Sequence, residues 1–266
     1  MKPTIESSFA RARAENRAAL IAYLMAGDPS LSATVDLVRA AVDGGADIIE
    51  LGFAYSDPLA DGPTIAAAAE RALASGVTFD ATLAIDVGQF DVPVIAFGYW
   101  NPILVRGPAR TAGRLAAAGY AGVIIADLPP EEGQPMHDAC RREALVLPLL
   151  VAPTTPPQRL AKIARASTGF VYAVSRLGVT GARTDLDRGV ASLVASIKRE
   201  THLPVAVGFG ISSAAQAEEV ARCADGVVVG SALVDTAARS ACASDACAAV
   251  RAACAELSAA CRRPLY

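Results

Sequence analysis

Residues 47–65 read DIIELGFAYSDPLADGPTI, and this stretch holds the features that decide the predicted fold. It begins with an apolar run, Ile48 to Phe53, bounded by turn-forming residues, which is typical of a buried β-strand. One carboxylate, Glu50, lies inside this run. Because side chains alternate along a strand, Glu50 shares a face with Ile48 and Gly52. Burial of an unpaired charge is costly, so we expect Glu50 to have a partner, a proton or a chemical role.

The segment that follows this strand has the composition of a loop. Residues 54–63 contain one serine, two aspartates, one glycine and two prolines. Asp61 lies in this loop, eleven positions beyond Glu50. A carboxyl group on a strand and another on the next loop can face one pocket, where different surroundings separate their pKa values for acid and base roles. The alternatives are a buried ion pair for Glu50 and a turn cap for Asp61.

The composition favours one globular domain over residues 1–266. Of these residues 53% are hydrophobic and 19% are charged, with a net charge of −3. The sequence contains no basic run of the kind that predicts nucleic-acid binding. Its longest apolar runs are well short of the roughly 20 residues of a membrane span. Residues 1–26 are not typical of a signal peptide, because Glu6 and Glu15 lie among the basic residues. We therefore expect a cytoplasmic protein that binds neither nucleic acid nor membrane.

The six cysteines do not suggest a disulfide scaffold in a chain of this length. Cys247, Cys254 and Cys261 recur at seven-residue spacing, as small apolar residues on one helix face would. A metal site is the alternative, but no histidine follows residue 202 and the sequence has no C-x-x-C. We predict core packing or a solvated helix face for these cysteines, and no metal site.

Eight short apolar runs alternate with helical segments along the chain. The predicted strands are 19–24, 48–53, 92–97, 122–125, 145–151, 169–174, 203–207 and 226–229. Residues 4–17 predict a helix before the first strand, and Ser32 is the expected cap of the helix after it. Continuous apolar strands indicate a sheet buried on both faces. Eight βα units with right-handed crossovers predict a (β/α)8 TIM barrel with an extra N-terminal helix. The alternative is an open doubly wound sheet, but no G-x-G-x-x-G follows the first strand.

Three glycine-rich turns follow the last three predicted strands. They contain Gly178 and Gly181, then Gly208 and Gly210, then Gly230 with Ser231. Glycine lets backbone N–H groups approach an anion closely, and a helix N-terminus adds a favourable dipole. Barrels often bind phosphate at the loops after strands seven and eight, so we predict a phosphate site there. Tight βα turns without a ligand are the alternative for each glycine taken singly.

The sequence ELGFAYSDPLADGPTI (50–65) closely resembles the signature of the tryptophan synthase alpha chain family, ELG-x-P-[FY]-SDP-x-x-DGP-x-I. The resemblance covers nearly the whole chain. It includes AYLMAGDPS (22–30), YWNP (99–102), ADLPPEE (126–132), VAPTTP (151–156), GFVYAVSRLGVTG (169–181), VGFGIS (207–212) and VGSALV (229–234). Phosphoribosyl isomerases and ribulose-phosphate epimerases share the barrel and the phosphate loops, but they lack the SDP-x-x-DGP loop.

The resemblance implies a lyase of tryptophan biosynthesis that cleaves indole-3-glycerol phosphate to indole and glyceraldehyde 3-phosphate without a cofactor in this chain. It implies Glu50 as the proton-transfer group, Asp61 as the carboxylate that faces the indole N–H, and Thr180 as the residue that orients Asp61 when a lid closes. Further substrate-binding residues are implied in the indole pocket and around the phosphate. They are Tyr23, Phe97, Tyr99, Ile124, Tyr172, Gly181, Phe209, Gly210, Gly230 and Ser231.

The resemblance also implies an α2β2 heterotetramer with a tryptophan synthase beta chain, whose pyridoxal phosphate condenses indole with serine. Departures from the family pattern bear on this expectation. Ala22 and Ala54 stand where proline is usual, Met25 where threonine is common, and Ala66 where glutamine is usual. Two alternatives therefore stay open, a stand-alone indole-3-glycerol phosphate lyase and a catalytically idle alpha-like subunit that activates a beta partner.

Overall fold

The eight predicted strands form one parallel sheet in the computed structural model, which describes residues 3–175, 186–208 and 210–263. The strands are β1 (Ala19–Met25), β2 (Ile48–Gly52), β3 (Val94–Gly98), β4 (Gly122–Ile125), β5 (Leu150–Val151), β6 (Val171–Val174), β7 (Val205–Gly208) and β8 (Gly226–Val229). Their order is β4-β3-β2-β1-β8-β7-β6-β5, which places the first and last strands side by side.

The two edges of this sheet meet just before β5. Gly122 in β4 and Val146 form a parallel bridge, in which the Val123 N–H donates to the Val146 carbonyl at 2.9 Å. The sheet therefore closes into a (β/α)8 barrel, and the predicted fold class is confirmed.

Twelve α-helices are present among the described residues, and most of them pack around the barrel. They are α1 (Ile5–Ala14), α2 (Leu31–Asp43), α3 (Pro63–Ala74), α4 (Phe79–Leu83), α5 (Trp100–Arg106), α6 (Pro108–Ala117), α7 (Gln134–Arg142), α8 (Pro157–Ala166), α9 (Leu186–Glu200), α10 (Ala214–Ala221), α11 (Ser231–Ala238) and α12 (Ala243–Ala260). Helix α1 precedes the first strand, as predicted. No helix within the described ranges is long and apolar enough to cross a lipid bilayer.

Two local predictions differ from the structure. Ser30, and not Ser32, caps α2, since its hydroxyl accepts the Ala33 N–H at 3.2 Å. Strand β5 covers two residues of the predicted 145–151. The Leu147 and Leu149 N–H groups donate to side-chain hydroxyls, those of Thr168 and Ser167, at 2.6 and 3.1 Å. These hydroxyls replace the backbone partners that a regular strand would have.

Tyr99 is the N-cap of helix α5, and Trp100 to Pro102 form the start of this helix. The Trp100 N–H at the start of this helix donates to the Asp127 carboxylate at 2.7 Å, so the cap comes from the loop after the next strand. Two helices, α11 and α12, follow the last strand, and α12 ends at Ala260. Cys254 and Cys261 are buried, as the packing prediction requires, and Cys247 is half-buried.

Side chains of the sheet divide between two apolar clusters. Leu20, Leu24, Ile49, Leu51 and Val94 pack between the sheet and the surrounding helices. The second cluster fills the barrel interior and includes Ile21, Tyr23, Ile48, Ile95, Phe97, Ile124, Tyr172 and Val228. Glu50 alternates with Ile49 and Leu51, so it points into the barrel interior as predicted.

Helix α1 and an ion-pair cluster cover the N-terminal end of the barrel. Phe9 of α1 contacts Phe170 with a ring distance of 5.6 Å. The buried Asp47, just before β2, accepts hydrogen bonds from Arg11, Arg17 and the Leu20 N–H at 2.5–2.9 Å. In TIM barrels this end serves stability, whereas the opposite end carries the chemistry.

The segment after α1 and the C-terminal end of the described chain meet at this same end of the barrel. Arg17 and Arg262 form an isolated antiparallel bridge. The Arg263 guanidinium donates to the Ala221 and Ala224 carbonyls at 2.8 and 2.7 Å.

Candidate active site

A cavity of about 370 Å³ opens where the strands end and the βα loops begin. This volume lies within the range of small-molecule sites. The residues that line it come from six strands or the segments that follow them. They are Tyr23, Glu50, Ala60, Asp61, Gly62, Pro63, Ile65, Phe97, Tyr172, Gly210, Val228, Gly230 and Ser231.

Glu50 lies in β2 and is 1% exposed. Its Oε1 atom makes no hydrogen bond in the described structure, and no arginine or lysine within the described ranges forms an ion pair with it. The structure thus gives no support to the ion-pair alternative. Burial raises the pKa of Glu50 to about 8, because a carboxylate loses its hydration there. At pH 7 this carboxyl group is mainly protonated and can act as an acid.

Asp61 lies on the loop between β2 and α3, at the mouth of the same cavity. Burial raises the pKa of Asp61 to about 6, while a hydrogen bond with the Tyr99 hydroxyl opposes this change. The same hydroxyl accepts a hydrogen bond from the Ala60 N–H at 3.1 Å. Tyr99 therefore binds the loop at two neighbouring points, the Ala60 backbone and the Asp61 side chain. Asp61 is mainly ionised at pH 7, and the two carboxyl groups therefore carry different protonation states.

Aromatic side chains line the space between the two carboxyl groups. Tyr23 and Phe97 meet edge to face, with ring centroids 5.6 Å apart. The Tyr23 ring lies across Gly52, where a Cβ atom would overlap its hydroxyl, and the Tyr172 hydroxyl lies across Gly208 in the same way. Each tyrosine thus crosses a glycine of the neighbouring strand. These rings provide a flat apolar surface that suits an aromatic ligand.

The far side of the cavity has the features of an anion site. Gly230 is the N-cap of helix α11, and Ser231 is its first residue. The first N–H groups of a helix have no intrahelical acceptor, so they are available to a bound anion. Gly210 completes this side and has a φ of +98°, a conformation that side chains other than glycine rarely adopt.

The structure brings eight of the predicted site residues to this cavity. They are Glu50, Asp61, Tyr23, Phe97, Tyr172, Gly210, Gly230 and Ser231. Tyr99 contacts the site through Asp61. The fully buried Ile124 packs in the barrel interior, where it pairs with Phe97 of the neighbouring strand. Thr180, Gly181 and Phe209 lie outside the described residues, as does Gly178.

Sequence reasoning missed five residues that line the cavity. Ala60, Gly62, Pro63 and Ile65 flank Asp61 in the loop and in the first turn of α3, and Val228 lies in β8. The DGP-x-I motif contained the signal for Gly62, Pro63 and Ile65. Ala60 and Val228 carry no polar group that distinguishes them from core residues. Within the described ranges, no group of three or more metal-ligating side chains could hold a metal ion.

Comparisons with known proteins agree on one family. The tryptophan synthase alpha chain family model matches residues 9–262. The chain is 49% identical to the tryptophan synthase alpha chain of Caulobacter sp. strain K31, over 88% of this chain and 86% of that one. It is 50% identical to the alpha chain of Roseiflexus castenholzii, over 87% and 90%.

Solved structures show the same relationship. A tryptophan synthase structure from Mycobacterium tuberculosis is similar with a TM-score of 0.89 and 43% identity, covering 99% of this chain and 100% of that one. The tryptophan synthase subunit alpha of Legionella pneumophila has a TM-score of 0.88 and 34% identity, covering 98% of each chain.

The closed barrel, with two carboxyl groups at the loop end of its strands, defines a (β/α)8-barrel enzyme. The chain belongs to the tryptophan synthase alpha chain family. This family comprises lyases that cleave indole-3-glycerol phosphate to indole and glyceraldehyde 3-phosphate. Its alpha chain has no cofactor of its own and pairs with a beta chain, which holds pyridoxal phosphate, in an α2β2 complex.

Proposed function

We propose that the cavity between Glu50 and Asp61 is the site where this chain cleaves indole-3-glycerol phosphate. One observation carries the proposal. A buried carboxyl group with a pKa of about 8 and a loop carboxyl group with a pKa of about 6 line the same aromatic cavity. Retro-aldol cleavage of this substrate needs an acid and an anion at the same time, and these two groups supply them at neutral pH.

Glu50 delivers a proton to C3 of the indole ring, which makes this carbon a leaving group. The positive charge that develops on the ring nitrogen is stabilised by the Asp61 carboxylate, which accepts the indole N–H. The bond between indole C3 and the side chain then breaks, and its electrons remain on the ring. The adjacent hydroxyl group gives its proton to the Glu50 carboxylate formed in the first step, which regenerates the acid and leaves the aldehyde of glyceraldehyde 3-phosphate.

The substrate orientation follows from the position of the two ends of the cavity. The indole ring lies against Tyr23, Phe97 and Tyr172, and the phosphate lies at the N-terminus of α11 with Gly230 and Ser231. The predicted lid function of Thr180 and its loop stays a prediction, because these residues lie outside the described ranges.

Indole release from indole-3-glycerol phosphate by the purified chain tests the proposal. We expect slow release by the chain alone and faster release with a tryptophan synthase beta chain. Glu50→Gln and Asp61→Asn should each reduce release at least 100-fold, the usual scale for loss of an acid–base group and of an electrostatic stabiliser, respectively. Glu70→Gln, at an exposed position on α3, is the matched control and should leave the rate unchanged.

Three other outcomes would change the assignment. Fast release that a beta chain does not alter would favour a stand-alone lyase. No release under either condition by the folded protein would favour a catalytically idle subunit. Full activity of Glu50→Gln would remove the proposed acid.

Exposed apolar side chains on the segments after β2 and β3 support docking of the beta chain at this end of the barrel. Leu59, on the loop that carries Asp61, is 91% exposed, and Val105 and Leu104 on α5 are 76% and 52% exposed. The Asn101 side chain of α5 donates to the Tyr55 hydroxyl of that loop at 3.2 Å, so the two segments are in contact. Exposed large apolar side chains on adjoining segments can mark a protein contact. Val105→Glu should therefore weaken stimulation by the beta chain while the release rate of the isolated chain is preserved. We also propose a cytoplasmic location, which membership of a family of soluble biosynthetic enzymes supports.

A further inference from the structure

We infer that the Tyr23 hydroxyl donates a hydrogen bond to a hydroxyl group on the three-carbon chain of the substrate, and that Tyr23 thereby selects a hydroxylated substrate over a deoxygenated one. This inference rests on the proposed function of the cavity. It adds a hydrogen-bonding role to a residue that otherwise provides apolar surface for the indole ring.

The position of Tyr23 follows from the register of the first two strands. Tyr23 in β1 pairs with Glu50 in β2, and Met25 pairs with Gly52. The Tyr23 side chain crosses to β2, and its hydroxyl occupies the volume that a side chain at residue 52 would take. Glu50 and Gly52 lie on the same face of β2, two residues apart. The hydroxyl is therefore beside the carboxyl group of Glu50, on the side towards the cavity mouth.

Tyr23 is only 5% exposed, and its hydroxyl makes no hydrogen bond with a described residue. Unlike Glu50 Oε1, this hydroxyl is not a fully buried unpaired atom, so it is open to the cavity that Tyr23 lines. Two other buried tyrosines do have partners. The Tyr99 hydroxyl hydrogen bonds with the Ala60 N–H and Asp61, and the Tyr120 hydroxyl donates to the Thr82 carbonyl at 3.4 Å. Buried tyrosine hydroxyls usually find a partner. Tyr23 lines the cavity, so a bound ligand can provide the acceptor.

The surroundings of this hydroxyl keep it protonated. Burial, and then the charges of Asp61 and Glu50, raise the pKa of Tyr23 well above 10.0. Tyr23 is thus a neutral hydroxyl at working pH and has a proton to donate. Among the substrate groups, the indole N–H is a donor that Asp61 accepts, and the phosphate lies at α11. The hydroxyl groups of the three-carbon chain are the neutral acceptors that remain.

The chain geometry agrees with this choice. Gly230, at the phosphate end, lies next to the Tyr23 Cβ, since a Cβ at residue 230 would be 3.3 Å from it. Tyr23 therefore extends from the proposed phosphate site to Glu50. The hydroxylated carbons of the substrate lie between its phosphate and the indole carbon that Glu50 protonates. In the bound substrate they would therefore lie alongside the Tyr23 side chain.

The test compares two ligands on three proteins, each with its beta chain. The ligands are indole-3-glycerol phosphate, measured by kcat/KM, and indole-3-propanol phosphate, which has the same ring and phosphate but neither hydroxyl, measured by its inhibition constant. The proteins are the unaltered chain, Tyr23→Phe and Tyr120→Phe. Tyr120→Phe is the matched control because it removes a buried tyrosine hydroxyl away from the cavity.

We expect Tyr23→Phe to lower kcat/KM for the hydroxylated substrate about fivefold to tenfold, the size expected for one neutral hydrogen bond. Its inhibition constant for the deoxygenated analogue should stay within about twofold, because that ligand has no group for the hydroxyl. Tyr120→Phe should change neither value. Equal losses for both ligands, or no loss for either, would overturn the inference. Failure of the unaltered chain to cleave the substrate would refute the proposed function, and the inference with it.

Discussion

Replacement of Glu50 by glutamine should stabilise the fold while it removes the activity. Glutamine has nearly the same shape as glutamate and is uncharged at every pH. In the folded chain Glu50 is fully buried and its Oε1 atom has no partner, so its ionised form is destabilised. The free energy of unfolding therefore depends on how far pH forces this carboxyl group to ionise.

The magnitude follows from the two pKa values of the group. The pKa of Glu50 is about 8 in the folded chain against an ordinary value of 4.5. Because the folded value is the higher one, the folded state binds more protons between these pH values, and stability falls as pH rises through this window. The cost is near zero below pH 4.5, about 3 kcal/mol at pH 7 and about 5 kcal/mol above pH 8, at about 1.4 kcal/mol for each pH unit.

Urea unfolding at pH 5, 7 and 9, followed by circular dichroism, measures this effect. The stability of Glu50→Gln minus that of the unaltered chain should rise by about 4 kcal/mol from pH 5 to pH 9. Any constant cost of the new amide group cancels in this comparison of pH values. Glu70→Gln, at an exposed position, should show no such rise. A rise below about 1 kcal/mol would refute the conclusion that Glu50 is buried without a compensating partner.

Three further predictions concern the site and its support. The plot of kcat/KM against pH should be bell-shaped, with a rise near pH 6 as Asp61 ionises and a fall near pH 8 as Glu50 loses its proton. Asp61→Asn should abolish most activity and remove the rise. A profile that is flat from pH 5 to 9 would contradict the proposed roles. Gly52→Ala should lower kcat/KM, because the added methyl group overlaps the Tyr23 ring and forces it to move; unchanged kinetics would show that the ring has room to shift. Asp47→Asn should reduce the free energy of unfolding by about 3 kcal/mol in urea titrations, since it leaves buried arginine nitrogen atoms without their carboxylate. A loss below about 1 kcal/mol would show that water takes the place of the carboxylate at these nitrogen atoms.

The barrel was predictable because its strands depend on a local pattern. Eight apolar runs with loop residues after them fixed the number of strands, and right-handed crossovers left few ways to connect them. The element boundaries that the sequence did not predict depend on partners that are distant along the chain. Asp127 caps α5 from another loop, and the hydroxyls of Ser167 and Thr168 shorten β5, and neither contact is visible in the local sequence.

The candidate site also has features that the sequence predicts and features that only the structure shows. Glu50 and Asp61 were detectable because charge is unexpected in an apolar strand and in the loop beside it. The partnership of Tyr99 with Asp61, and the clearance that Gly52 gives Tyr23, arise from contacts between strands and are visible only in three dimensions. The single-domain organisation of residues 1–266 and the catalytic role of each site residue stay predictions.

The bridge between Arg17 and Arg262 has a practical consequence for handling this protein. It joins the segment after helix α1 to the last described residues at the end of the barrel opposite the cavity. Pro3 to Glu6 lie at this same end, beside the segments that precede β3 and β4. An affinity tag, a fluorescent label or a surface tether placed at this end therefore lies away from the cavity. The chain can be immobilised on a sensor chip through this end with the mouth of the barrel facing the solution, free to receive both substrate and beta chain.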